Sequence, residues 1–275
     1  MVRARLLLEH GAPPAPTEGR SFFEQALLHG SVEMAELLAR HGAARTELTG
    51  ADAFRAACAQ LDEPAARRLL AESPELIAQA NALLAGGVAS GDLVDVARLL
   101  LDIGASPDAA IEGPGGRYRA LHQAACANSI RVAELLIQSG ADVECRDTGN
   151  RATPLAWALH VHMDAAIELL TLHTRDVFTL VAGGRLERLR NCLQDSPAAA
   201  NAKTEERLGL GRIGAEPGET PLFVLPGDED LAIDVADLLL SFGADRTVRN
   251  RAGQTPADKS RARGLLDVAD WLSPP

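Results

Sequence analysis

Three sets of residues have the types and spacing to do chemistry. Gly209-x-Gly211-x-x-Gly214 has the spacing of a dinucleotide-binding turn, in which backbone N–H groups would hold a pyrophosphate. His160-x-His162-x-Asp164 offers metal-ligating side chains. Cys58, Cys126, Cys145 and Cys192 are potential nucleophiles or ligands, but their separations of 68, 19 and 47 residues fit neither a zinc knuckle nor a CxxC redox pair. Each set needs a particular local structure before it can act. The elements that would supply that structure decide the matter.

The 275 residues carry 27 Lys and Arg against 38 Asp and Glu, a formal charge of −11. That balance disfavours nucleic acid and anionic membrane surfaces, which need a local cationic excess. Hydrophobic residues make up 47% and aromatics only 3%, so the expected core is aliphatic and suited to closely packed helices. The Leu run in "MVRARLLLEHGAPP" ends too early for a signal peptide. No apolar run reaches the length needed to span a bilayer. The expected location is the cytoplasm, with the cysteines as free thiols.

The chain also repeats itself. "AACAQLDEPAARRLL" from Ala56 returns as "AACANSIRVAELL" from Ala124, 68 residues later. Arg119-Ala120-Leu121-His122 returns as Thr153-Pro154-Leu155-Ala156 after 34 residues. It returns again as Thr220-Pro221-Leu222-Phe223 after 67, and as Thr255-Pro256-Ala257 after 35. Leucines followed by Gly-Ala recur at Gly11, Gly42, Gly104, Gly140 and Gly243. Each unit reads as a helical hairpin. Thr before Pro caps a short first helix, a polar break follows, and glycine stops a longer second helix.

On these residues the chain resembles ankyrin-repeat proteins, in which a unit of about 33 residues is two antiparallel helices plus a projecting β-hairpin. The resemblance is carried by "RALHQAA" (119–125), "LLIQSGADVECRD" (135–147), "TPLAWAL" (153–159), "GETPLF" (218–223) and "LLLSFGADRTVRNRAGQTPAD" (238–258). Its Ala- and Arg-rich composition is similar to bacterial members of that family. The expected fold is all-α with short β-hairpin fingers, a solenoid of seven or eight units. Residues 1–20 would hold a partial repeat and linker, and 21–175 ankyrin repeats. Residues 176–275 would hold a degenerate repeat, a long loop and C-terminal repeats of the same solenoid. Ser-Pro turns replace the glycine stop near Ser73 and Ser196. The short spacing from Leu170 to Leu193 predicts a missing finger, and 200–217 is over-long. The half unit at residues 1–12 predicts a truncated start or an upstream segment.

The repeat then disposes of the three chemical candidates. Gly218-Glu219-Thr220-Pro221 is already a unit's turn and cap, so the glycines before it read as an enlarged surface loop rather than a phosphate cradle. His160 ends a first helix and His162 falls in the inter-helix turn, which argues for surface or capping roles. Cys58 and Cys126 share one repeat position, where a small residue is required. No catalytic set, cofactor site or metal site is expected. Trp157 reads as core filler, and the resemblance implies that His122 makes hydrogen bonds tying neighbouring units together.

In the family, partners dock on hairpin tips and first-helix ends. Carried over to this sequence, the helix ends include His160 and Val161, Cys126 and Ala127, and Gly227 and Asp228. The tips are Arg117, Tyr118 and Arg119, then Thr148, Asn150 and Arg151, then Arg249 and Arg251. The expected role is a monomeric, non-catalytic scaffold that binds another protein. The alternative is a regulatory or substrate-recruiting portion of a larger enzyme.

Overall fold

The computed structural model describes residues 20–273, apart from 114 and 212. The half unit expected at 1–12, with its Gly11 stop, lies outside the described residues. The rest is helical hairpins with two short β-hairpins between them. The chain forms two compact units, one running up to Val88 and including Leu93–Ala109, the other combining Ala89–Asp92 with Ala110 onward.

The first unit contains three hairpins: α1 (Phe22–Leu28) with α2 (Val32–Arg40), α3 (Gly50–Ala59) with α4 (Glu63–Glu72), and α5 (Ile77–Leu83) with α6 (Val94–Asp102). Helix α3 packs against α1, α5 and α6. The second unit opens with strands β1 (Ala110–Gly113) and β2 (Gly116–Arg119). Three hairpins follow: α7 (Ala120–Cys126) with α8 (Ile130–Gln138), α9 (Pro154–Val161) with α10 (Asp164–His173), and α11 (Val177–Ala182) with α12 (Leu186–Asp195). A second β-hairpin, β3 (Leu208–Leu210) with β4 (Ile213–Ala215), precedes a 3-10 turn at Pro221–Val224 and helix α13 (Glu229–Ser241). Helices α14 (Pro256–Ala262) and α15 (Leu266–Leu272) end the fold. Among the described residues eight hairpins are present if the 3-10 turn counts as a shrunken first helix.

The sequence explains each hairpin locally. In α8 the apolar positions Val132, Ala133, Leu135 and Leu136 are buried, while Arg131 and Glu134 face solvent, the stripe of an amphipathic helix. The Thr153 side chain accepts the Ala156 N–H at 3.2 Å, and Thr255 forms a reciprocal capping box with Asp258. The Ser-Pro variants behave as expected: α4 stops at Ser73 and α12 at Ser196, each followed by a 3-10 turn that starts at the proline. The finger expected to be missing is absent too. Thr174, Arg175 and Asp176 lead directly from α10 into α11. The preceding turn satisfies this shortened link. Glu144 accepts from the Thr174 hydroxyl and the Arg175 N–H, and Arg146 pairs with Asp176 at 2.8 Å.

The turns inside the hairpins do more than reverse the chain. All but the one before α13 place one residue in the left-handed region. At Leu61, Asp92, Asn128 and His162 that residue is not glycine, with φ between 51° and 58°. Asn128 uses its position to accept the Ala166 N–H of α10 at 3.0 Å, and Asp92 accepts the Val132 N–H of α8 at 3.0 Å. The residues at the N-caps of α8 and α10, Ser129 and Met163, provide no side-chain cap of their own. One hairpin therefore supplies the cap that the next one lacks. Asp228 opens α13, accepting the Leu231 N–H at 2.9 Å. It is therefore a helix cap, and the expectation that Gly227 and Asp228 end a first helix is corrected: the first helix there has shrunk to the 3-10 turn.

Leu61 holds the left-handed turn position with an exposed side chain that can accept nothing. Leu61→Asn is expected to raise the unfolding free energy by about 1 kcal/mol, by relieving backbone strain and offering a cap. Asn128→Ala is expected to lower it by about 1–2 kcal/mol. Urea titration of the two variants checks both signs.

Candidate functional site

The turn between the α7–α8 hairpin and α9 is organised by one buried carboxylate. Asp147 is 1% exposed and accepts the backbone N–H groups of Gly149 (2.9 Å), Asn150 (2.6 Å) and Ala152 (3.1 Å). It also accepts the indole N–H of Trp157 at 2.9 Å. Four donors thus converge on one side chain. The same device recurs in the last finger, where the Asn250 side-chain oxygen accepts the N–H groups of Ala252 and Gln254, both at 3.0 Å. Here the Asn250 amide also donates to the buried Glu219, which forms an ion pair with Lys259.

With its N–H held, the Trp157 ring has a fixed place. Its centroid lies 5.1 Å from that of Tyr118 and 5.2 Å from that of His122. Trp157 is half-buried and lines a cleft, so the reading of it as core filler is corrected. His122 is fully buried, and both its nitrogens are engaged: Nδ1 accepts the Arg119 N–H at 3.3 Å and Nε2–H donates to the Ala152 carbonyl at 3.0 Å. The latter bond reaches into the next hairpin, as the resemblance implied. Burial lowers the pKa of His122 below its ordinary 6.5. A proton on Nδ1 would also confront the Arg119 N–H.

The cleft has a volume of about 620 Å³. Its walls are the turn at 149–152, the outer side of α9, and the β3–β4 finger. Asn150, Arg151, His160 and Val161 line it together with Trp157 and Leu208. Arg151 forms a two-pronged ion pair with Glu206 at 2.6 and 2.8 Å, which holds the Glu206 carboxyl below the usual range.

The other nominated residues sit elsewhere. Arg117 and Thr148 are exposed and bonded to each other, with the Arg117 N–H reaching the Thr148 hydroxyl at 2.7 Å and the Thr148 N–H reaching the Arg117 carbonyl at 3.0 Å. Arg119 precedes α7, with Asp142 at 3.5 Å. Arg117–Arg119 are therefore strand residues of β2 rather than a tip, because the chain reverses earlier, between Gly113 and Gly116. Arg249 bonds to the Gly253 carbonyl at 2.6 Å, and Arg251 is exposed on the same turn. Neither lines the cleft.

The glycine motif has a structural explanation. Residues 208–215 form an antiparallel hairpin rather than an irregular loop, and no α-helix opens directly after it. The Gly209 N–H donates to the Asn150 carbonyl at 2.8 Å. A Cβ on Gly209 would meet that carbonyl oxygen at 2.9 Å, and one on Gly211, where φ is +80°, would meet Leu159 Cβ at 3.3 Å. Gly209 allows close approach to the turn before α9, and Gly211 to α9 itself. The motif alone signalled a phosphate cradle; a β-hairpin was legible only in the alternation of Leu208, Leu210 and Ile213 around them.

Among the described residues no three His, Cys, Asp or Glu side chains converge as a metal site, and no helix is long and apolar enough to cross a membrane. His162 is the left-handed cap of α9, its N–H bonded to the Ala158 carbonyl. Burial pushes the Cys58 thiol up to about 11, far from nucleophilic.

Among known families, the ankyrin repeat model matches residues 118–148. No curated protein matches the chain. Similar solved structures include the human ASB11 ankyrin repeat domain, 16% identical over 93% of this chain and 99% of that chain, with a TM-score of 0.45. Another is an ankyrin repeat domain from Acinetobacter baumannii AYE, 22% identical over 67% and 93%, with a TM-score of 0.46.

Asp147→Ala would strand four donors and is expected to cost about 2–3 kcal/mol of stability, with Asp147→Asn costing less because an acceptor oxygen survives. Chemical denaturation measures the difference. The depressed pKa of His122 gives a second expectation. The unfolded chain takes up the proton first as pH falls, so this contribution is complete above about pH 6.5 and is lost on going down through the folded-state pKa. Stability measured from pH 8 to 5 should fall less in His122→Asn than in the wild type, by up to about 1.4 kcal/mol per pH unit.

Proposed function

We propose, from a chain that carries an ankyrin repeat within stacked helical hairpins, that this protein is a non-catalytic scaffold holding another protein on the face where turns and first-helix ends meet. Ankyrin repeats are generally protein-interaction modules. The observation that carries the reading is the arrangement around Trp157: a half-exposed aromatic ring, locked in place by Asp147 and tilted against Tyr118, beside Asn150, Arg151, His160 and Val161. Rigid aromatic and arginine side chains at a concave site are the composition of binding hot spots. Arg117, Arg119 and Thr148 extend this face along the first finger, and Arg249 and Arg251 along the last.

The chemistry present supports binding over turnover. The His122 nitrogens are both occupied, and the Cys58 and Cys192 thiols are pushed up by burial. The excess negative charge favours a protein over nucleic acid or an anionic membrane as partner. We read the chain as a monomer working in the reducing cytoplasm, which suits cysteines that form no disulfide among the described residues.

A photo-crosslinking residue placed at 160 or 151 is expected to capture a partner in host cells, whereas the same residue at 134 or 168, on exposed second-helix positions, should capture none. Adducts from 134 and 168 alone would move the interface to the opposite side and end this reading.

A further inference from the structure

The finger of β3 and β4 does not project into solvent. Strand β3 lies against α9 and α11, the first helices of the two preceding hairpins. It runs extended across them. The Gly209 N–H takes the Asn150 carbonyl, Glu206 takes both prongs of Arg151, and Gly211 passes over Leu159 where a larger residue would be crowded. This is how a bound strand is recognised: a main-chain bond for affinity, one charged contact for register, and no side chain where the backbones touch.

The fit is loose for a permanent part of the core. The Arg151–Glu206 pair is 40% and 49% exposed, so water competes with it. A cleft of about 620 Å³ opens beside the finger, leaving that side of it unpacked. Glycines at 209, 211 and 214 raise the entropic cost of ordering the strand. Leu208, 5% exposed, is its main apolar anchor.

We infer that the 206–215 finger is an internal stand-in for the partner, and that the α9 face takes an extended strand of another protein bearing an acidic residue three positions before a glycine. Engagement would then require the finger to leave its seat. The inference rests on the interaction reading above and names both the chemistry of the partner and the element that competes with it.

The test uses a fluorescein-labelled synthetic peptide of residues 203–216, and the full chain with 206–215 replaced by a Gly-Ser linker. Fluorescence anisotropy should show the peptide binding this variant at least ten-fold more tightly than the intact chain. Arg151→Glu in the variant should abolish binding, and a Glu206→Lys peptide should restore it. No binding to a folded variant, or binding indifferent to Arg151→Glu, overturns the inference. If circular dichroism shows the variant unfolded, full-length Glu206→Lys replaces it, since Leu208 is kept. In a Trp271→Phe background, acrylamide quenching of Trp157 should then rise and peptide binding appear. If neither changes, the idea fails. The assay needs no partner protein. Crosslinks from position 160 without peptide binding would remove the stand-in and leave the interaction face. Peptide binding with crosslinks only from positions 134 and 168 would do the reverse.

Discussion

A two-helix hairpin of this kind cannot bury its own apolar stripe, and every other feature follows from that constraint. Helix α9 shows it most plainly: Leu155, Ala156 and Ala158 are buried, and α9 is covered because α7, α10 and strand β3 pack against it. Stability of stacked hairpins is approximately the sum of intrinsic terms and nearest-neighbour terms. Polar groups obey the same rule. Bonds from His122 to Ala152, Glu144 to Thr174 and Arg146 to Asp176 all join one hairpin to the next.

Asp147 connects this architecture to recognition. Its carboxylate shapes the turn that leads into α9 and fixes the ring that faces the cleft, so one side chain serves both fold and surface. A water-exposed carboxylate could not replace it, because its four donors would then be shared with solvent and the ring would lose its single orientation. The second such centre, Glu219 with Asn250 and Lys259, anchors the base of the β3–β4 finger through the last hairpins. Between these two centres the chain has been given its extra length.

Much of the fold was legible because the repeat writes the same physical needs many times over. Thr-Pro starts, glycine stops and the Ser-Pro substitutes each reflect a local backbone requirement, and the missing finger followed from counting between Leu170 and Leu193. The site was less legible. Asp147 stands seven residues before Pro154, where Asn250 stands six before Pro256, so the offset hides their shared task. Trp157 looked like filler, since sequence position cannot reveal that its N–H has a partner ten residues back. The glycines at 209, 211 and 214 were separated from a phosphate site by context alone; Asn150 and Leu159, which Gly209 and Gly211 approach, lie far upstream, beyond any local pattern.

The cap that Asn128 offers to α10, and Asp92 to α8, also sets a direction in time. During synthesis the accepting side chain emerges about 38 to 40 residues before the amide it will satisfy. At α8 and α10 the nascent helix therefore meets a waiting acceptor on the chain behind it, and growth from the ribosome finds a ready-made edge there.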